Sequence, residues 1–484
     1  MKENISIKKN FIYNIIYQIL LLLLPLITVP YVSRILGAEG IGIFSYTYSI
    51  VNYFILIAML GINNYGNRTI AKIRENKSEL SKTFYSIYYI QVFMSVLMII
   101  IYSLYIFLFD IKYKLVMIIQ GINLIAVMLD INWFFFGLEK FKLTITRSLI
   151  IKVISLIGIF LFIKNRNDVY VYVMIIGMST LISNLFLISF LKKEISHCII
   201  KFSDIKKHIK PVLILFIPVV AVSLYKIMDK IMLGILSDIS EVGYYEQGEK
   251  IINIPMGIVT ALGTVMLPRI SNLVAKGDNK AIEKYIYKSI NFMMFLAFPI
   301  CFGLITISKD FIYLFLGNEF SKTSSIIYYL SITIIFISFA NVIRTQYLIP
   351  KERDKIYVSS VIGGAIINII INYLLIPKYK SIGACIGTIV AEFFVMFYQI
   401  HSVKRELPIK KYIKENSIFL VKSLIMFAII IPIKMLSINV YLKLILQITS
   451  GITIYLILNI KYINSLADFN KVFNKIKRKN YINC

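Results

Sequence analysis

The chain is 484 residues long, 58% hydrophobic and only 16% charged, whereas soluble domains run at roughly 45–50% apolar and about 25% charged. With a mean hydropathy of +0.78 it has too little polar surface to cover water-facing cores, which excludes a soluble enzyme and makes lipid its solvent. Its net charge of +28 fits nucleic acid, an anionic membrane or an anionic cargo, and the scattering of the basic residues in short clusters between apolar runs argues against nucleic acid.

A bilayer core of roughly 30 Å needs about 20 apolar helical residues. In chain order the template is met by residues 11–32, 41–62, 84–109, 113–136, 144–163 and 169–191, a first group of six. A second six follows at 211–236, 251–267, 287–307, 326–349, 356–376 and 382–400, with two more at 417–433 and 444–460. The first run has Lys8 and Lys9 ahead of a leucine stretch but no small-residue cleavage pattern, so it reads as a retained span and not a signal peptide. The expected architecture is an all-α membrane protein of about 14 helices: a lobe of spans 1 to 6 (1–191), a lobe of spans 7 to 12 (192–402), and residues 403–484 carrying spans 13 and 14 and a basic tail.

Lys and Arg fix the expected orientation. With the N-terminus inside, 36 of them fall on the cytoplasmic side and 12 on the other, which places both termini in the cytoplasm. The longest outer connections, 237–250 and 308–325, read as loops, and no segment reads as a soluble domain. Pro25, Pro30, Pro218, Pro255 and Pro299 lie inside spans and are expected to interrupt them. Cys198, Cys301, Cys385 and Cys484 form no C-x-x-C pair and His197, His208 and His401 no metal spacing, so neither disulfides nor zinc are expected. No Gly-x4-Gly-Lys-Ser/Thr phosphate loop points to ATP.

Two internal echoes link the groups of six. PLITVPYVSRILGAEGIG from Pro25 resembles PVVAVSLYKIMDKIMLGILSDISEVG from Pro218, and the stretch from Gly137 matches that from Pro350 with Glu139 opposite Glu352 and Lys140 opposite Arg353. Repeated bundles of this kind are common in secondary transporters.

The motifs PYVSRILGAEGIG (from Pro30), GINNYGNRTIAKIR (from Gly61), WFFFGLEKF (from Trp133), DKIMLG and VGYYEQGEKI (from Asp229), and LLIPKYKSIGACIGTIVAEF (from Leu374) resemble, in this order, the polysaccharide transporter or O-antigen flippase family. That family belongs to the multidrug/oligosaccharidyl-lipid/polysaccharide exporter superfamily, with multidrug exporters of the MATE type and lipid II flippases. The resemblance spans nearly the whole chain, with Arg34, Arg68, Trp133, Asp229 and Glu392 at matching positions. It implies a flippase, not an enzyme, in the bacterial cytoplasmic membrane, which carries an undecaprenyl-diphosphate-linked oligosaccharide from the inner to the outer leaflet by alternating access. The implied partners are the anionic lipid-linked oligosaccharide, the membrane, and the glycosyltransferases and polymerase of the same pathway.

An ionisable group within a span costs about 2.5–3.5 kcal/mol on insertion scales and usually faces a bundle interior or a wet cavity. The basic candidates for contact with an anionic cargo are Lys152, Lys226, Lys230, Arg344, Lys422 and, at a span end, Arg34. Each has a structural alternative: Lys230 neutralising Asp229 or another acid, Lys422 snorkelling, Arg344 serving a nearby cytoplasmic loop, Lys152 or Lys226 forming an ion pair, Arg34 and Arg147 paired with headgroups. Asp130, Asp229 and Glu392 are the acids able to titrate or hold a coupling H+ or Na+. The alternative for Asp229 is an ion pair with Lys226 or Lys230 that fixes the helix. No other cofactor is expected. Trp133 reads as an interfacial anchor. The rival functions are a multidrug or other lipid exporter of the superfamily, including a lipid II flippase, and a membrane oligosaccharide polymerase.

Overall fold

The computed structural model describes the backbone of residues 2–465 and the side chains of residues 24–465 other than Pro218, Tyr225, Lys226 and Thr264. The described chain is helical throughout: α1 Lys2–Met59, α2 Ile62–Ile73, α3 Lys77–Leu108, α4 Lys114–Gln120, α5 Ile122–Met128, α6 Asn132–Gly137, α7 Phe141–Phe162 and α8 Val169–Leu191 come first. Then follow α9 Phe202–Leu236, α10 Ile239–Ala275, α11 Asn279–Phe315, α12 Ser321–Ile343, α13 Asp354–Tyr379, α14 Ser381–Val403, α15 Ile409–Ile430 and α16 Val440–Leu458. Among the described residues, 13 helical segments are long and apolar enough to cross a membrane.

The difference from fourteen arises at the start, where the first two expected spans run as one helical element through a kink at Gly37 (φ 68°, ψ −178°). Only glycine adopts that conformation without steric cost. A helix restarting at Ala38 has unsatisfied N–H groups, and the Glu319 carboxylate accepts the Ala38 N–H at 2.9 Å. Arg166 holds the other Glu319 oxygen at 2.7 Å. The break is therefore fastened by a residue distant in sequence. Four of the five prolines do not interrupt their helices as expected: α1 continues through Pro25 and Pro30, α10 through Pro255, and α11 through Pro299, while the side chain of Pro218 lies outside the described residues.

The fourth span is instead divided, into α4, α5 and α6, at Gly121 and at residues 129–131. Carbonyls freed by a break inside a membrane need new donors. Buried Gln91 supplies them, its Nε2 donating to Val127 O and Asp130 O, each at 2.8 Å. Its Oε1 accepts the Trp133 indole N–H at 2.9 Å. Trp133 is thus no interfacial anchor: it is 1% exposed, stacks on Phe84, and lies so close to α2 that a Cβ on Gly66 would sit 2.4 Å from the ring.

The two expected outer loops are also largely helix. Residues 239–250 open α10, α11 runs to Phe315, and α12 begins at Ser321. The acids of the first of these segments suggest a loop, yet Glu241 and Glu246 are buried and paired inside protein, where a polar group is tolerated if its hydrogen bonds are met.

The chain forms two compact units. One comprises Met1–Gln247, Leu316–Lys322 and Val361–Thr388, the other Gly248–Phe315, Thr323–Ser360 and Ile389–Cys484. In the first, α1 packs on α3, α7 and α9, and α8 on α5 and α7. In the second, α11, α15 and α16 pack mutually. Polar ties join them, from Asn416 Nδ2 to Asn291 Oδ1 at 2.8 Å and from Tyr455 OH to Phe295 O at 2.8 Å.

The internal echo extends to the backbone. Glu139 and Glu352 both take left-handed φ, 58° and 56°. In each case the next N–H reaches five residues back, Lys140 N to Phe135 O at 3.0 Å and Arg353 N to Leu348 O at 2.8 Å, as in a Schellman cap. Each basic residue then grips a glutamate 54 or 53 residues later, Lys140 with Glu194 and Arg353 with Glu406. The Arg353 guanidinium holds the Glu406 carboxyl below the usual carboxylate range.

Candidate functional site

Two neighbouring residues of α9, Asp229 and Lys230, each centre a set of buried polar contacts in the first unit. Asp229 is 3% exposed. Its Oδ2 accepts from Tyr245 OH on α10 and from Thr388 Oγ1 on α14, each at 2.7 Å, and its Oδ1 from Asn372 Nδ2 on α13 at 2.6 Å. Asn372 Nδ2 also lies 3.2 Å from Asn368 Oδ1, one helical turn earlier. Four helices thus converge on one carboxylate through neutral donors.

Glycines make the convergence possible. Gly383 and Gly387 lie one turn apart on α14. A Cβ on Gly383 would meet the Leu375 carbonyl at 2.6 Å, and one on Gly387 the Asn372 side-chain oxygen at 2.1 Å. This small-residue spacing lets helix backbones approach closely and leaves room for the amides of α13 beside Asp229.

Lys230 does not pair with Asp229. Its Nζ lies 2.7 Å from Glu246 Oε2 on α10, and the same oxygen accepts Ser45 Oγ of α1 at 2.8 Å. Among the described residues no Lys or Arg pairs with Asp229, and the side chain of Lys226 lies outside them. A buried carboxylate without a cation is costly, and a proton or a bound cation relieves that cost. The side-chain oxygens of Asp229, Asn368, Asn372 and Thr388 are of the donor type that hard cations take. Asn372 Oδ1 and Asn368 Nδ2 are buried without a protein partner. The residues fit a small cation as well as a proton. Among the described residues no cluster of His, Cys, Asp and Glu suits a transition metal.

The other expected site residues are dispersed. Lys152 is exposed on α7, and Arg34 is exposed beside Gly317. In the second unit, Arg344 sits in a π-helical turn, Arg344–Leu348, donates to Asn341 Oδ1 at 3.2 Å and lies over the Tyr357 ring. Lys422 ties α15 to α16 through Asn459 Oδ1 at 3.2 Å. Glu392 is buried on α14. Asp130 accepts the backbone and side-chain N–H of Asn132 at 2.9 and 2.7 Å. Asn132 Oδ1 in turn accepts from Arg147 at 2.9 Å. Arg147 is buried, donating also to Ser183 O at 2.7 Å, and so is no headgroup partner.

Sequence reasoning missed Glu246, which it placed in a loop, and Tyr245, Asn368, Asn372 and Thr388. The amides at 368 and 372 carried a usable signal: two Asn one turn apart in an otherwise Ile-rich span.

At one end of the first unit the helix connections are laced by charge. Glu241 takes Lys322 Nζ at 2.5 Å and Ser381 Oγ at 2.6 Å, Asp238 takes Lys380 at 2.5 Å, and Glu319 joins Arg166 to Ala38. There α1 and α10 cross at Gly42 and Gly243, where added Cβ atoms would lie 2.0 Å from Ile239 O and Ala38 O respectively.

The sequence pattern of the family described as "Polysaccharide biosynthesis protein" matches residues 7–274, and that of MatE residues 215–374. The chain is 23% identical over 398 residues to the "Putative O-antigen transporter" of Escherichia coli (strain K12), covering 81% of this chain and 95% of that one. It is 26% identical over 239 residues to the "Probable low-salt glycan biosynthesis flippase" of Haloferax volcanii, covering 49% and 50%. Its fold is similar to that of the lipid II flippase MurJ in an inward closed conformation, with a TM-score of 0.78 at 18% identity over 94% of this chain and 100% of that one. The chain is a multi-pass membrane protein that belongs to the polysaccharide biosynthesis protein family, within the multidrug/oligosaccharidyl-lipid/polysaccharide exporter superfamily.

Proposed function

We propose that the protein is a flippase, not an enzyme, that moves an undecaprenyl-diphosphate-linked oligosaccharide from the inner to the outer leaflet of the bacterial cytoplasmic membrane by alternating access. The observation that carries this reading is the likeness to a "Putative O-antigen transporter" over 81% of this chain and 95% of that one. Both termini lie in the cytoplasm, a reading supported by the Lys and Arg distribution, and the lobes 1–191 and 192–402 rock about the cargo. A potential negative inside favours outward passage of an anion by roughly 2.3 kcal/mol per charge per 100 mV.

Lys152 and Lys226 meet the diphosphate, with Lys230, Arg344, Lys422 and Arg34 as further cationic contacts along the path. Asp229 holds the coupling H+ or Na+ with Asn368, Asn372 and Thr388, while Asp130 and Glu392 are secondary acids. A bound cation supplies the charge that the buried carboxylate lacks. The Glu241 and Glu319 clasps keep the outer ends of the first unit fastened and open in the outward-facing step.

In liposomes containing the full-length protein and a fluorescent undecaprenyl-diphosphate oligosaccharide, Lys152→Ala and Lys226→Ala are each expected to slow translocation about tenfold, the loss of one charge-assisted contact. Unchanged rates in both variants remove these lysines from the cargo path.

A further inference from the structure

The geometry points to a second binding site, for a phosphate-bearing lipid headgroup, in a cavity of the second unit framed by the end of α11, the first turns of α12 and the turn Ile431–Met435. The cavity measures about 410 Å³, and its polar lining includes Lys309, Lys434, Ser308, Ser324, Ser325 and Tyr329. Among the described residues no acidic side chain lines it. The acid next in sequence to Lys309, Asp310, turns away to α16, where it accepts the Gln447 amide at 3.4 Å. A third ammonium, that of Lys443, approaches the Lys434 carbonyl at 3.5 Å. Two lysines, serine hydroxyls and a phenol around a pocket without carboxylates match the donor-rich chemistry that takes a phosphate. The cavity also lies at the N-terminal turns of α12, where backbone dipoles favour negative charge.

The neighbouring surface makes the ligand an amphiphile. Thr306, which lines this cavity, also lines an apolar groove of about 350 Å³ between α11, α15 and α16, so a hydrocarbon chain has a place to lie beside the headgroup. On the topology proposed above the cavity faces outward, at the opposite end of α11 from its cytoplasmic start at Asn279. The site rests on the orientation proposed above but not on the transport activity. Its phosphate comes from an anionic phospholipid of the outer leaflet or from the diphosphate of a polyprenyl carrier.

Thermal stabilisation of the full-length protein in detergent distinguishes the sources, with phosphatidylglycerol, farnesyl diphosphate, inorganic phosphate and, as the zwitterionic control, phosphatidylcholine as probes. Lys309→Ala/Lys434→Ala is expected to weaken the apparent affinity for the binding probe about tenfold. Lys309→Arg/Lys434→Arg retains it, and Lys280→Ala/Lys284→Ala, a matched loss of charge at the other end of α11, leaves it unchanged. Preference for phosphatidylglycerol identifies a resident phospholipid site, and preference for farnesyl diphosphate a carrier site. Equal stabilisation by both supports general phosphate-headgroup recognition. Binding of inorganic phosphate alone, no preference over phosphatidylcholine, or undiminished binding by the double alanine variant overturns the proposal.

Discussion

Asp229→Asn is expected to lower transport by about 5- to 150-fold, the usual span of coupling between two sites, and to remove its dependence on a Na+ or H+ gradient. The amide keeps the volume of the carboxyl and accepts a hydrogen bond from Tyr245 or Thr388, so the four-helix junction survives. What disappears is the negative charge that a coupling cation neutralises. Gradient-driven translocation in proteoliposomes, compared with downhill translocation in the same vesicles, separates coupling from assembly. A variant that remains folded and gradient-dependent removes Asp229 from the coupling site.

Glu246→Ala leaves the Lys230 ammonium without its carboxylate. The two side chains are 17% and 11% exposed, and breaking one partner of such a pair costs about 3–5 kcal/mol. The thermal midpoint in detergent should fall sharply. Removing both charges, in Lys230→Met/Glu246→Leu, should recover most of the loss, since apolar replacement of a buried pair is often neutral. If the double variant is as stable as the wild type but no longer transports, Lys230 serves the cargo and not only the packing. If Glu246→Ala is as stable as the wild type, the pair contributes little to the fold.

Much of the architecture was legible in the sequence, because hydropathy reports directly on the lipid solvent. The pairing of Glu139 with Glu352 was legible too, since a helix end needing a left-handed residue leaves a local trace in each half. What one sequence could not show was how polar residues are satisfied at a distance. Trp133 reads as an interfacial anchor until Gln91 and Gly66, on other helices, are seen to bury it. The division of the fourth span likewise depends on the amide of Gln91, which lies in a different span. Residues 237–250 are polar enough to suggest a loop, yet Glu246 is helical and buried because Lys230 and Ser45 meet it there. Asp229 reads as costly in lipid from the sequence alone, but the Asn372 amide that meets it, like the Ser45 hydroxyl that meets Glu246, comes from an element more than a hundred residues away.

The central claim is movement of a lipid-linked oligosaccharide without covalent chemistry. The most direct test places the purified full-length protein in liposomes whose inner leaflet carries a labelled undecaprenyl-diphosphate repeat unit, and follows both the exposure of the label outside and the length of the saccharide. The label is expected to reach the outer surface with its saccharide unchanged. Repeat units joined into longer chains, or a label that stays inside while an unrelated amphiphile is exported, would contradict it.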